Sequence, residues 1–201
     1  MAARAPLIPT MTARRLPKLI VFDLDACLWH PEMFELSSAP TKYDASAGGV
    51  RAGRDCVKLF PGALKVLKRL TDPTFSSCKI AVASSTTEPR YAATCLEQLV
   101  VSIGDDGLHE DPHVSVADLV DFRAIYPANK GRRHFPQLQR ESNIPFTEMI
   151  FFDDCTYGDN CQDVASACKG VLCVRTPSGL DMKAFDDALA AFAEGKSGVL
   201  R

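Results

Sequence analysis

The sequence predicts an α/β fold: a mostly parallel, five-stranded sheet with helices on both faces. Three observations predict it. Five short apolar runs, each the length of one strand, recur along the 201 residues. Amphipathic segments with helical spacing lie between and after them. The two patterns alternate, which calls for parallel strands joined by right-handed crossovers.

The first run, Leu19–Phe22, is continuous, as expected for a strand covered on both faces. Residues 31–60 follow; they are long and polar and carry Gly48, Gly49 and Gly53, so they suit a small antiparallel hairpin with one strand near Asp55–Leu59. Pro61 opens "PGALKVLKRLTDP", where Ala63, Leu67 and Leu70 share a helical face and Pro73 stops it. The second run is Ile80–Ala83. Thr87 then suits the cap of "TEPRYAATCLEQLV", with Ala92, Leu96, Leu99 and Val100 on one face. Residues 103–117 read as an acidic surface loop. The third run, Phe122–Tyr126, is broken only by Arg123, and the helix after it, "GRRHFPQLQRES", is interrupted by Pro136. The fourth run is Met149–Phe152. In "DNCQDVASACKG" a stripe of Cys161, Val164, Ala165 and Cys168 ends at Gly170. The fifth run, Val171–Val174, precedes a last helix carrying Phe185, Ala188, Leu189 and Phe192. The result is a Rossmann-like three-layer sandwich. One domain spans 17–196, between a flexible N-terminal tail (1–16) and a C-terminal tail (197–201).

Apolar residues make up 46% and charged residues 24% of the chain, and the formal net charge is −2. This is ordinary globular usage and gives no support for a nucleic-acid or membrane-surface partner. No apolar run approaches the roughly 18 residues of a membrane span. The first 17 residues hold Arg4, Arg14 and Arg15 and no acid. They read as a tail, with an organelle-targeting segment as the alternative. The eight cysteines form no C-x-x-C pair, and several sit inside apolar runs. They read as reduced core residues, and a cytoplasmic location follows. The four histidines lack metal-ligand spacing and read as surface or loop residues.

In an open parallel sheet, ligands bind beyond the carboxyl ends of the strands. The residues there are Asp23 and Asp25 after the first run, Ser84, Ser85 and Thr86 after the second, and Lys130 after the third. Asp153 and Asp154 follow the fourth run, and Arg175 and Thr176 the fifth. Four carboxylates in one crevice repel unless a cation lies among them. Oxygen ligands of this kind suit Mg²⁺, which takes one or two carboxylates, waters and a substrate phosphate. Lys130 and a serine hydroxyl suit the remaining phosphate oxygens. A lysine at a helix start opposes the helix dipole, which favours a functional cause for Lys130. Trp29 and Phe34 suit either a lid or packing, and Asn160 and Asp163 either the metal loop or a helix start.

At these residues a resemblance enters. "VFDLDACLW" resembles the D-x-D-x-[TV] first motif of the haloacid dehalogenase superfamily. With "VASSTTEP", "AIYPANK" and "MIFFDD" in order, the chain resembles that superfamily's magnesium-dependent phosphatase family over residues 17–193. The resemblance implies a strand order of 5-4-1-2-3, with a small flap in place of a large cap. It implies that Asp23 is the nucleophile, forming an aspartyl-phosphate, and that Asp25 is the general acid and base. Ser84, Ser85, Lys130 and the backbone at Leu24 would bind the phosphoryl group. Asp23, Asp25, Asp153 and Asp154 would surround Mg²⁺. The implied activity is an acid phosphatase acting on aryl, phosphotyrosine-like or sugar phosphates. Its partner is then a small phosphorylated substrate or a phosphotyrosine-containing protein, and the enzyme a monomer. Two positions depart from the pattern: Cys27 replaces the motif Thr, and Ser85 stands where the family often has Arg. A group-transfer domain working with a carrier protein is one alternative. A receiver-like signalling module is another, but it places its acid pair first and its phosphoacceptor later, the reverse of this chain.

Overall fold

The computed structural model describes residues 15–103 and 113–200. Its central sheet is formed by β1 (Leu19–Phe22), β6 (Lys79–Ser84), β9 (Phe122–Ile125), β10 (Met149–Asp153), β11 (Leu172–Arg175) and β12 (Gly198–Val199). The strands stand in the order β12-β11-β10-β1-β6-β9, and every neighbouring pair is parallel. Five of them reproduce the expected 5-4-1-2-3 arrangement. The sixth, β12, is an addition: Gly198 and Leu200 donate to the carbonyls of Val171 and Cys173, both at 2.8 Å. A two-residue strand has no apolar run to announce it, yet it covers part of an edge that would otherwise present unpaired backbone groups.

The strands are apolar throughout because successive side chains enter opposite layers. Ile20, Phe22, Val82, Ile150 and Phe152 face one layer, with α1 (Pro61–Leu70), α2 (Pro89–Gln98) and α6 (Met182–Ala193). Leu19, Val21, Ala81, Ala83, Met149 and Phe151 face the other, with α4 (Phe135–Ser142) and α5 (Asn160–Ala167). Small residues on β6 let the second layer approach closely. Pro136 does not break α4: it lies in the first turn, where its missing N–H costs nothing. Thr87 does not cap α2; the N-cap is Glu88 and Pro89 sets the start. Val100 leaves that helix for β7 (Val100–Ser102), which pairs with β8 (His113–Ser115) ahead of the one-turn helix α3 (Val116–Leu119).

The insertion after β1 is larger than a single hairpin. It is a four-stranded antiparallel sheet of β2 (Trp29–His30), β3 (Tyr43–Asp44), β4 (Gly49–Ala52) and β5 (Asp55–Leu59), in the order β2-β5-β4-β3. Only β4 and β5 are long enough to leave a sequence signature. Most of the acidic-loop stretch (104–112) and of the N-terminal stretch (1–14) lies outside the described residues. Arg15, at the edge of the latter, pairs with Glu148 at 2.8 Å and lies 4.3 Å over the Phe192 ring. No helix among the described residues is long and apolar enough to cross a membrane.

Candidate active site

The carboxyl ends of β1, β6, β9 and β10 open into one cavity of about 530 Å³. Asp23, Asp25, Ser84, Ser85, Lys130 and Asp154 all line it. Asp153 lies beneath, fully buried, as the last residue of β10. Leu24 points the other way, into the core. Its carbonyl accepts from the amides of Cys27, Leu28 and Trp29, which curls the chain back on itself after the strand. Ala26 within that curl, and Cys155 after the second acid pair, hold left-handed φ values of 56° and 59°. Non-glycine residues rarely adopt this conformation, at a cost of roughly 1–3 kcal/mol each. The strain sits directly after each acid pair and turns the chain away so that the carboxylates face the cavity.

Lys130 is the electrostatic centre. Its Nζ lies 2.6 Å from Asp23 Oδ1 and 2.6 Å from Asp153 Oδ2, and its side chain is 2% exposed. Burial alone would lower its pKa, but Asp23 and Asp153 outweigh that and hold it above the ordinary lysine value. A π-helical turn, Lys130–His134, delivers the side chain inward; such turns recur at functional sites. Gly131 permits the close fit, because a Cβ there would meet the Asp163 carbonyl at 2.9 Å and Ala167 at 3.1 Å.

Asp23, Asp153 and Asp154 each bring a carboxylate oxygen within 4.8 Å of the others. One ammonium cannot neutralise three carboxylates. Burial, and then the two neighbouring acids, push the Asp23 carboxyl well above its ordinary range despite Lys130. Asp153 also accepts from Asn160 Nδ2 at 3.1 and 3.2 Å and from the Cys155 amide at 2.8 Å. Asp154 accepts from the Thr156 amide at 2.8 Å. Hard oxygen donors with surplus negative charge fit a small divalent cation such as Mg²⁺.

Asp25 is not in that group. Its Oδ1 accepts from Trp29 Nε1 at 2.7 Å and from the Met33 amide at 3.2 Å, and Thr86 also bonds the carboxylate. Burial raises its pKa and these three donors oppose the rise. Cys27 takes no part: its thiol is buried, near the Phe152 carbonyl at 3.7 Å and Thr176 Oγ1 at 3.4 Å, and burial holds it protonated. The indole of Trp29 does the orienting that a motif hydroxyl would do.

Ser84 is buried at the end of β6, where its Oγ accepts from the Thr86 amide at 3.3 Å. The Ser85 hydroxyl donates to the Ala128 carbonyl at 2.8 Å. Arg175 is drawn away from the cavity by Asp159, at 2.6 Å. His134 is not a surface residue. It is fully buried, stacked on Tyr126 with ring centroids 4.3 Å apart. Its Nε2 lies 3.1 Å from the Ser84 carbonyl and 3.0 Å from the Tyr126 carbonyl. Two carbonyl partners require a protonated Nε2, so the ring ties the ends of β6 and β9 together behind Ser84. Sequence spacing missed His134, which works through neighbouring carbonyls and belongs to no motif, and left Trp29, the last residue of the first motif, between lid and packing. Asn160, by contrast, opens α5 after the acid pair, a position that the sequence had already marked.

A parallel sheet whose carboxyl edge gathers three carboxylates, a buried lysine and hydroxyls in one open cavity defines a domain of the haloacid dehalogenase type. In overall fold the chain is similar to a haloacid dehalogenase-like family hydrolase from Xanthomonas campestris, with a TM-score of 0.56 at 12% identity, covering 90% of this chain and 99% of that one. The family model for acid phosphatase matches residues 15–195, and the chain belongs to that family. It is 36% identical over 192 residues to magnesium-dependent phosphatase 1 of Homo sapiens, covering 93% of each chain. A HAD-like hydrolase superfamily protein of Schizosaccharomyces pombe is 31% identical over 142 residues, covering 69% of this chain and 76% of that one.

Proposed function

We propose that this chain is a magnesium-dependent phosphomonoesterase that works through an aspartyl-phosphate on Asp23. The observation that carries the reading is Lys130 held between Asp23 and Asp153 at 2.6 Å each, with Asp154 completing the carboxylate group at the cavity floor. Membership of the acid phosphatase family and the name of the human relative support the reaction class and the ion.

Asp23, Asp153 and Asp154 would hold Mg²⁺, which supplies charge neutralisation between an anionic nucleophile and an anionic ester. Lys130 and the Ser84 hydroxyl bind phosphoryl oxygens. An Asp23 carboxylate oxygen attacks phosphorus, and the bond to the ester oxygen breaks with its electron pair going to that oxygen. Asp25 gives the leaving oxygen its proton. The Trp29 indole and the Met33 amide both bond Oδ1 and hold the carboxyl at the cavity wall. A water then attacks phosphorus, Asp25 accepts its proton, and the bond from Asp23 to phosphorus breaks to release phosphate. Aryl, phosphotyrosine-like and sugar phosphates are the expected substrates. The small insertion leaves room for an exposed phosphorylated side chain.

The direct test is phosphate release from phenyl phosphate, with and without Mg²⁺. Chelation should abolish turnover and Mg²⁺ should restore it; a rate indifferent to metal would overturn the proposal. A second expectation concerns the proton donor. Trp29→Phe removes a hydrogen bond that lowers the Asp25 pKa, so that pKa rises. The acid form then persists to higher pH, and the alkaline limb of the kcat profile moves upward. Lost orientation should also lower kcat about tenfold, a fraction of the 10²–10⁴-fold that general acid–base catalysis typically contributes. An unmoved limb would show that the indole does not tune Asp25.

A further inference from the structure

The mouth of the cavity carries two large aromatic side chains that the core does not use. Phe34 is 56% exposed and Tyr157 is 73% exposed. Their rings meet edge to face, with centroids 6.0 Å apart and planes at 76°. The Tyr157 hydroxyl donates to Glu32 Oε1 at 3.2 Å, joining positions 125 residues apart in sequence. Glu32 and Phe34 flank the start of the short 3₁₀ turn Met33–Glu35, and Tyr157 lies in the loop between β10 and α5. The turn is fixed at its base. The Glu32 amide donates to Glu35 Oε2 at 3.0 Å, and the Met33 amide donates to the carboxylate of Asp25. The rim is therefore anchored to the group that meets the leaving oxygen.

Charge on this cavity is one-sided. Asp23, Asp25, Glu32 and Asp154 line it, and Lys130, the sole cation among the described residues that line it, is already bonded to Asp23 and Asp153. Among the described residues, no arginine or histidine lines it. A second anion on a substrate would find no partner there and would approach the Glu32 carboxylate. Resting on the phosphatase reading above, we propose that Glu32, Phe34 and Tyr157 form a leaving-group subsite. It accepts a flat, uncharged or cationic group against the exposed surfaces of the two rings and rejects a leaving group that carries a second negative charge. The rings supply apolar contact and a stacking surface, and the carboxylate supplies the discrimination.

The experiment compares three phenyl phosphates whose leaving oxygens are chemically similar: 4-methyl, 4-(aminomethyl) and 4-(carboxymethyl). A mildly alkaline buffer keeps Glu32 ionised, because burial pushes its carboxyl up. The expected order of kcat/KM is cationic first, neutral next, anionic last. Cationic and anionic esters should differ by about tenfold or more, as for a unit charge a few ångströms from a carboxylate at a wet rim. Glu32→Gln should collapse that ratio toward one, an effect that loss of folding alone would not produce. Tyr157→Ala and Phe34→Ala should raise KM for all three aryl esters several-fold without changing the charge order. Equal rates for the three esters in the unaltered protein, or a ratio untouched by Glu32→Gln, would overturn the subsite and leave the phosphatase reading standing. No hydrolysis of any ester would instead overturn the phosphatase reading and the subsite with it.

Discussion

Asp23→Asn is expected to reduce Mg²⁺-dependent hydrolysis of phenyl phosphate to background. The amide keeps the shape of the carboxylate but loses its charge and its nucleophilicity. Removing a covalent nucleophile typically costs about four to six orders of magnitude in kcat, and no other carboxylate occupies the same place. Asp154 lines the cavity but holds the Thr156 amide, and Asp153 lies beneath it against Lys130 and Asn160. Asp25 faces Trp29 and Met33. The companion variant Asp25→Asn separates the two chemical steps. With 4-nitrophenyl phosphate, whose leaving group needs no proton, Asp23 can still be phosphorylated, but water is no longer activated. A burst of nitrophenol followed by a stall, with acid-stable but hydroxylamine-labile phosphate on the chain, is the expected result. Full turnover by Asp23→Asn would remove Asp23 from the reaction.

Lys130→Met should be the most destabilising change in the site, and its effect should depend on pH in a defined direction. The variant leaves Asp23, Asp153 and Asp154 within 4.8 Å of one another with no cation among them. Breaking a buried pair by removing one partner costs about 3–5 kcal/mol at neutral pH. The Asp23 carboxyl is already held above its unfolded value by burial, and Lys130 is the main force pulling it down. Without the lysine its pKa rises further. A group whose folded pKa is raised contributes stability that is present at low pH and lost as pH climbs through that folded value. The variant should therefore melt far below the parent at neutral pH and recover part of the difference as the buffer is made acidic. Mg²⁺ at neutral pH should recover part of it too, because a cation bound only by the folded state stabilises it by mass action. A melting temperature that follows the parent's at every pH would show that Lys130 does not hold the acids together.

The strands and the acids were legible for one shared reason. A strand buried on both faces is an uninterrupted apolar run, and a carboxylate directly after such a run has few structural uses. Leu19–Phe22 followed by Asp23, and Met149–Phe152 followed by Asp153, show both signals. The shortest strands were invisible because two residues such as Trp29–His30 or Gly198–Val199 cannot display a period. Pro136 was misread for a related reason. A proline forbids the interior of a helix but favours its first turn, and the sequence does not show where the π-helical turn hands over to α4. Cys27 shows the limit of a motif. It lacks the motif hydroxyl, whereas a hydrogen bond to the Asp25 carboxylate comes from Trp29, two positions further on.

The stem of the antiparallel insertion has a consequence for movement. The indole and the amide that grip Asp25 both belong to that stem, at positions 29 and 33. Any outward swing of the insertion would break both hydrogen bonds to Asp25. Wider access for bulky esters and a firmly held Asp25 would therefore exclude one another.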